Sequence, residues 1–161
     1  MRVLVTGGTG LLDRALVRST VSAGHAARVL SRRTRAATEG VEYAVGDIAA
    51  GAGLDAALSG VEAIIHAASD PRRPEEVDVG GTRRLVEAAR AAGVGHLVYV
   101  SIVGVDRIPV RYYRMKLEAE GAVAASGLPH GGGPPPHSHD EFDEAYYVLE
   151  DELELLAGSG R

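Results

Sequence analysis

Residues 7–10 read Gly-Gly-Thr-Gly and follow directly on a short apolar run, Val3 to Thr6. Glycines at that point let the chain turn tightly and bring backbone N–H groups close to a ligand. The helical pattern that starts at Leu11 adds the positive end of its dipole. Strand, glycine turn and helix N-terminus together suit the diphosphate of a dinucleotide. Gly7, Gly8, Thr9 and Gly10, with Leu11 and Leu12 behind them, are the candidate diphosphate site. An ordinary turn that uses glycine only for its dihedral angles would read the same. Asp13 stands where a third small residue would let helix and strand pack closely. A carboxylate in a first helical turn is favourable by roughly 0.3–1 kcal/mol. About 6 Å from a diphosphate, at an effective dielectric of ~20, it opposes binding by about 3 kcal/mol. Unless the side chain turns away, affinity falls about 100-fold, and Asp13→Gly is expected to restore it.

The second candidate cluster lies about 20 residues further on. An acid there would bind the ribose 2′-OH of NAD, and an arginine accommodates the 2′-phosphate of NADP. Here the second strand ends Val29-Leu30-Ser31-Arg32-Arg33, with three donors and no acid. Ser31, Arg32 and Arg33 favour NADP over NAD, with Arg32 and Ser31 as the foremost phosphate ligands. A solvated basic loop at a helix start is the alternative reading.

These residues need a scaffold, and the pattern supplies one. Strands are predicted at Val3–Thr6, Ala27–Ser31, Val41–Val45, Ala63–Ala67 and His96–Ser101. Helices are predicted at Leu11–Ala23, Leu54–Leu58, Glu75–Ala92 and Tyr112–Ser126, several of them stopped by a glycine. Strands alternating with helices imply right-handed crossovers and a parallel sheet. The fold class is α/β, a truncated Rossmann-like doubly wound sheet ordered 3-2-1-4-5. The pattern breaks at Gly127-Leu128-Pro129, and the following glycines and prolines have linker composition. Residues 1–129 form the expected domain. Residues 130–161 are expected to add a linker and a short acidic β appendage.

Composition narrows the classes. With 161 residues and no cysteine, the chain can form one domain without disulfides. Residues 1–129 carry 16 basic and 14 acidic side chains, whereas residues 130–161 carry one and eight. A balanced body argues against nucleic-acid binding. No apolar run approaches membrane-spanning length and no signal pattern opens the chain, so a cytoplasmic protein is expected. A partner subunit could cover the sheet edge beyond the fifth strand, making a homo-oligomer possible.

From Met1 to about Pro129 the chain resembles the short-chain dehydrogenase/reductase superfamily, most closely its atypical, NmrA-like and sugar-epimerase-like branch. The resemblance rests on Thr6-Gly7-Gly8-Thr9-Gly10, Gly46-Asp47, His66-Ala67-Ala68-Ser69, Tyr99-Val100-Ser101 and Tyr112-Tyr113-Arg114-Met115-Lys116, in the family's order. It implies that Asp47 and Ile48 lie beside the adenine and that His66, Ala67 and Ala68 line the cofactor. For Asp47 a helix N-cap is an equal and compatible role. It also implies a reaction centre of Ser101, Tyr112 and Lys116. Tyr112 and Lys116 are four apart and share a helix face. A nearby ammonium would favour the phenolate and lower the tyrosine pKa. Tyrosine could then exchange a proton with a substrate hydroxyl while hydride moves to or from the nicotinamide. Ser101 would hydrogen-bond the substrate oxygen, and Tyr113 is the alternative acid. An amphipathic helix with a half-buried tyrosine remains the plain reading.

Residues 131–155 resemble the first metal motif of the cupins, through Gly131, His137, His139 and Glu144. Histidines two apart on a strand point to one side and can share a metal. With no second motif in the chain, a metal is not expected to be a working cofactor.

Two functions follow from the first resemblance. One is an NADP-linked oxidoreductase or sugar-nucleotide-epimerase-like enzyme acting on a small molecule that the residues do not name. The other is a module that senses or holds NADP without turnover. A metal-binding cupin fragment is the third.

Overall fold

The computed structural model describes residues 1–7, 11–102 and 104–128, with the backbone alone for 11–13. Five parallel strands form its sheet: β1 (Arg2–Thr6), β2 (Ala26–Ser31), β3 (Val41–Val45), β4 (Ala63–His66) and β5 (His96–Tyr99). Their order is β3-β2-β1-β4-β5. The helices between and after them are α1 (Leu11–Ser22), α2 (Leu54–Leu58), α3 (Thr82–Ala92) and α4 (Arg111–Ala124). This is the doubly wound α/β fold that the alternating pattern predicts. The expected acidic β appendage, in 130–161, lies outside the described residues.

Alternation along the strands builds two cores. Leu4, Ile64 and Leu97 point to one face, where they meet Leu58 of α2, Leu85 of α3 and Val123 of α4. Val3, Val5, Ile65 and Val98 point to the other, against Leu16 of α1. A sheet covered on both sides explains why β1 and β4 read as continuous apolar runs.

One predicted helix is two elements. Glu75–Gly81 winds as a π-helix and passes directly into α3. Gly80 and Gly81 permit the wider turn. A Cβ on Gly81 would come within 3.2 Å of Ile48 Cγ1, and one on Gly80 within 3.2 Å of the Glu75 carbonyl oxygen. The spacing of buried residues does not separate i→i+4 from i→i+5 winding, so the pattern shows a single helix.

Candidate cofactor cleft and reaction centre

At the carboxyl ends of β1 to β4 the strand order reverses, and a cleft of about 610 Å³ opens there. Its wall includes Gly7, Ser31, Arg32, Arg33, Asp47 and Ala68. Gly7 turns the chain out of β1 with φ +87°, and a Cβ there would lie 2.9 Å from the Ala67 carbonyl carbon and the Ala68 nitrogen. Only glycine lets this turn sit on the end of β4. Gly8, Thr9 and Gly10 lie outside the described residues, as do the side chains of Leu11, Leu12 and Asp13.

The basic edge is organised differently from the expectation. Ser31 is not a free phosphate donor. Its buried hydroxyl donates to the Arg33 carbonyl at 2.8 Å and accepts from the Arg33 N–H at 3.2 Å. This side-chain turn fixes the loop that presents Arg32 and Arg33, both exposed, to the cleft. Arg35 lines the same wall and lies over Tyr43 at 5.9 Å. It was legible as the third arginine of Arg32-Arg33-Thr34-Arg35, yet the strand-end pattern drew attention only to the first two.

Asp47 lines the cleft but caps no helix, because α2 starts from Gly53 without a side-chain cap. Instead its Oδ1 accepts from the Ala49 N–H at 2.8 Å, and its own N–H donates to the Ala52 carbonyl at 2.9 Å. That turn holds Ile48, buried, at the cleft wall. Ala68 lines the cleft, while Ala67 packs beneath the sheet. On the opposite wall stand Ser69, Asp70 and Arg73.

His66 is a correction. Its ring does not line the cleft and is fully buried between β1 and α3. Thr82 Oγ1 donates to the Asp78 carbonyl, so it must accept from His66 Nε2, 2.9 Å away. Burial, helped by the Lys116 charge, pushes its pKa down to about 3, so the ring is neutral near pH 7. With Nε2 the donor, Nδ1 accepts from Thr6 Oγ1 at 2.7 Å. The alternation of β4 already places His66 on the Ile64 face, which α2, α3 and α4 cover; the family pattern does not show this.

The reaction residues are close but are not wired as expected. Tyr112 is half-buried, and its hydroxyl bonds Ser69 Oγ at 2.7 Å. Its pKa is raised, first by burial and then by the Asp78 and Tyr113 charges, while the Ser69 hydrogen bond lowers it. The expected activation by an ammonium is therefore replaced by the opposite shift. Lys116 is buried, donates to the Val100 carbonyl at 2.9 Å and lies 4.4 Å from the Tyr99 ring centre. Burial lowers its pKa, partly offset by Asp78 and Glu120. Ser101 is buried, and its hydroxyl has no hydrogen-bond partner among the described residues. Tyr113 meets Tyr112 edge-on at 6.1 Å.

The residues fit a dinucleotide. Gly7 leaves a cradle that a Cβ would fill, and Arg32 and Arg33 offer donors for an anionic group at the far side of the cleft. His137, His139 and Glu144 lie outside the described residues. Among the described residues no group of three His, Cys, Asp or Glu is placed to hold a metal, and no helix is long and apolar enough to cross a membrane.

Comparison with known proteins agrees with this geometry. The chain is 37% identical over 132 residues to a (4-alkanoyl-5-oxo-2,5-dihydrofuran-3-yl)methyl phosphate reductase of Streptomyces griseus, covering 79% of this chain and 44% of that protein. It is 32% identical over 137 residues to the photosystem II assembly factor Ycf39 of Cyanophora paradoxa, covering 80% and 43%. The chain thus spans less than half the length of these relatives. Its fold superposes on MoeE5 in complex with UDP-glucuronic acid and NAD with a TM-score of 0.67, at 28% identity, over 78% of this chain and 49% of that one. Residues 7–159 match the NAD(P)H-binding family. The match runs through 131–155 as part of the same unit, so the cupin resemblance of that stretch gains no support. With a glycine turn, an arginine-edged cleft and a five-stranded parallel sheet in place, the chain belongs to the NAD(P)H-binding family.

Proposed function

We propose that the chain binds NADP in the cleft and takes part in hydride exchange with a small carbonyl or alcohol substrate. The observation that carries this reading is the end of β2, where Arg32 and Arg33 edge the cleft and no acid stands beside them. Gly7, with Gly8, Thr9 and Gly10 that follow it in sequence, would hold the diphosphate. Arg32 and Arg33 would hold the 2′-phosphate, and Asp47 with Ile48 would border the adenine. A bound nicotinamide supplies or removes the hydride. Tyr112 gives or takes the accompanying proton at its phenol oxygen. Ser101, whose hydroxyl has no hydrogen-bond partner among the described residues, would hold a substrate oxygen.

The test is NADPH oxidation by the full chain with a panel of aldehydes, ketones and sugar nucleotides. Turnover that Tyr112→Phe lowers about 10²–10⁴-fold, at unchanged NADPH affinity, is the expected result. Unchanged turnover in Tyr112→Phe would reject the role of that residue.

A second reading, NADP binding without turnover, rests on Lys116. Its ammonium is held by the Val100 carbonyl and the Tyr99 ring instead of Tyr112. NADPH binding with no oxidation across the panel would favour it.

A further inference from the structure

We infer that Asp78 is a positioning residue at the inner end of a proton path running from Tyr112 through Ser69, a role that rests on the oxidoreductase reading. Ser69 Oγ lies 2.6 Å from Asp78 Oδ1 and 2.7 Å from the Tyr112 hydroxyl. A serine hydroxyl has one proton to give, and a carboxylate only accepts. Ser69 therefore donates to Asp78, and the bond between Tyr112 and Ser69 must be donated by Tyr112. The phenol proton points into the protein, and the phenol oxygen is left as an acceptor towards the substrate side.

The inner end is held firmly. Asp78 is fully buried in the π-helical segment. Its Oδ2 accepts from the Asp70 N–H at 3.1 Å, and Lys116 Nζ stands 3.8 Å from Oδ1. Its carbonyl accepts from Thr82, which ties it to the neutral His66. Two elements bring other titratable groups to this trio: Lys116, Glu120 and Tyr113 on α4, and Tyr99 on β5. The exposed Glu75–Arg111 pair, 2.6 Å apart, links the starts of the π-helix and α4.

When an alcohol is oxidised, its O–H bond breaks and that proton bonds to the Tyr112 oxygen. The Tyr112 proton passes to Ser69 Oγ, and the Ser69 proton passes to Asp78 Oδ1, leaving a neutral carboxylic acid. Reduction runs the same three transfers outward. The two electrons leave or arrive as hydride, with a pyridine nucleotide as the partner.

Ultraviolet titration of the phenolate tests the path without turnover. Subtracting the Tyr112→Phe titration isolates Tyr112 from the other five of the six tyrosines. Asp78→Asn is expected to move Tyr112 ionisation down by about one pH unit when Ser69 is present, and by much less in a Ser69→Ala background. Ser69→Thr, which keeps the hydroxyl, should behave like the parent. Equal shifts in the serine and alanine backgrounds would show charge acting through space and overturn the path. Should Asp78→Asn fail to fold, Ser69→Ala alone decides: kcat about 10-fold lower at unchanged KM, rescued by Ser69→Thr, supports the path, and parental kcat overturns it. A chain that couples Tyr112 to Asp78 through Ser69 yet oxidises no NADPH would keep the path and reject the oxidoreductase reading.

Discussion

The cleft and the reaction residues next to it obey different rules. At the mouth, around Gly7 and Arg32, function follows from the backbone: a positive φ, a strand end and a sheet that reverses order. At the reaction residues, around Tyr112 and Lys116, it follows from which side-chain atom meets which. A residue pattern specifies the first almost completely. It specifies the second only to the level of a shared helix face, since Lys116 turns to Val100 and Tyr99 while Tyr112 turns to Ser69.

The contrast can be broken from either end. The largest effect is expected at the mouth. Gly7→Val places a branched side chain against backbone atoms 2.9 Å away at φ +87°. NADPH affinity measured by calorimetry should fall more than about 1,000-fold, with a lower melting temperature. Next comes His66, which bonds Thr6 of β1 and Thr82 of α3. Its pKa is about 3 in the folded chain against an ordinary 6.5. Above pH 6.5 both states are neutral. Between pH 6.5 and 3 only the unfolded chain gains the proton, so stability drops as the solution is acidified, by roughly 4 kcal/mol over the window. Urea unfolding at pH 7 and pH 4 should show this loss, and His66→Leu should remove the His66 share of the slope, leaving that of Asp70 and Glu75. Smaller is Asp13→Gly, which restores a small residue at the third position of the glycine motif and should tighten NADPH binding about 100-fold. Smallest is Arg32→Ala, expected to weaken NADPH about 10-fold and to leave NADH unchanged.

What the sequence made legible divides along the same line. The order 3-2-1-4-5, the Gly7 turn and the Arg32–Arg33 edge follow from period, glycine placement and the missing acid after β2. Ser31 was misread because its hydroxyl is consumed locally by Arg33, a choice made by loop geometry. Of the two roles open to Asp47, the helix cap falls away because Gly53 begins α2 six residues later. Asp78 and Ser69 were not singled out at all. Asp78 meets Ser69 from the π-helical segment Glu75–Gly81, whose winding leaves no mark in hydrophobic spacing. The one available signal was Asp78 itself, an acid with apolar Val77 and Val79 on either side.

The central claim is that the cleft holds a pyridine nucleotide and prefers the phosphorylated form. Calorimetric titration of the full chain with NADPH and with NADH tests it most directly. Saturable binding of one NADPH per chain, tighter than NADH, is the result this account predicts. No heat and no melting shift with either nucleotide at millimolar concentration would contradict it.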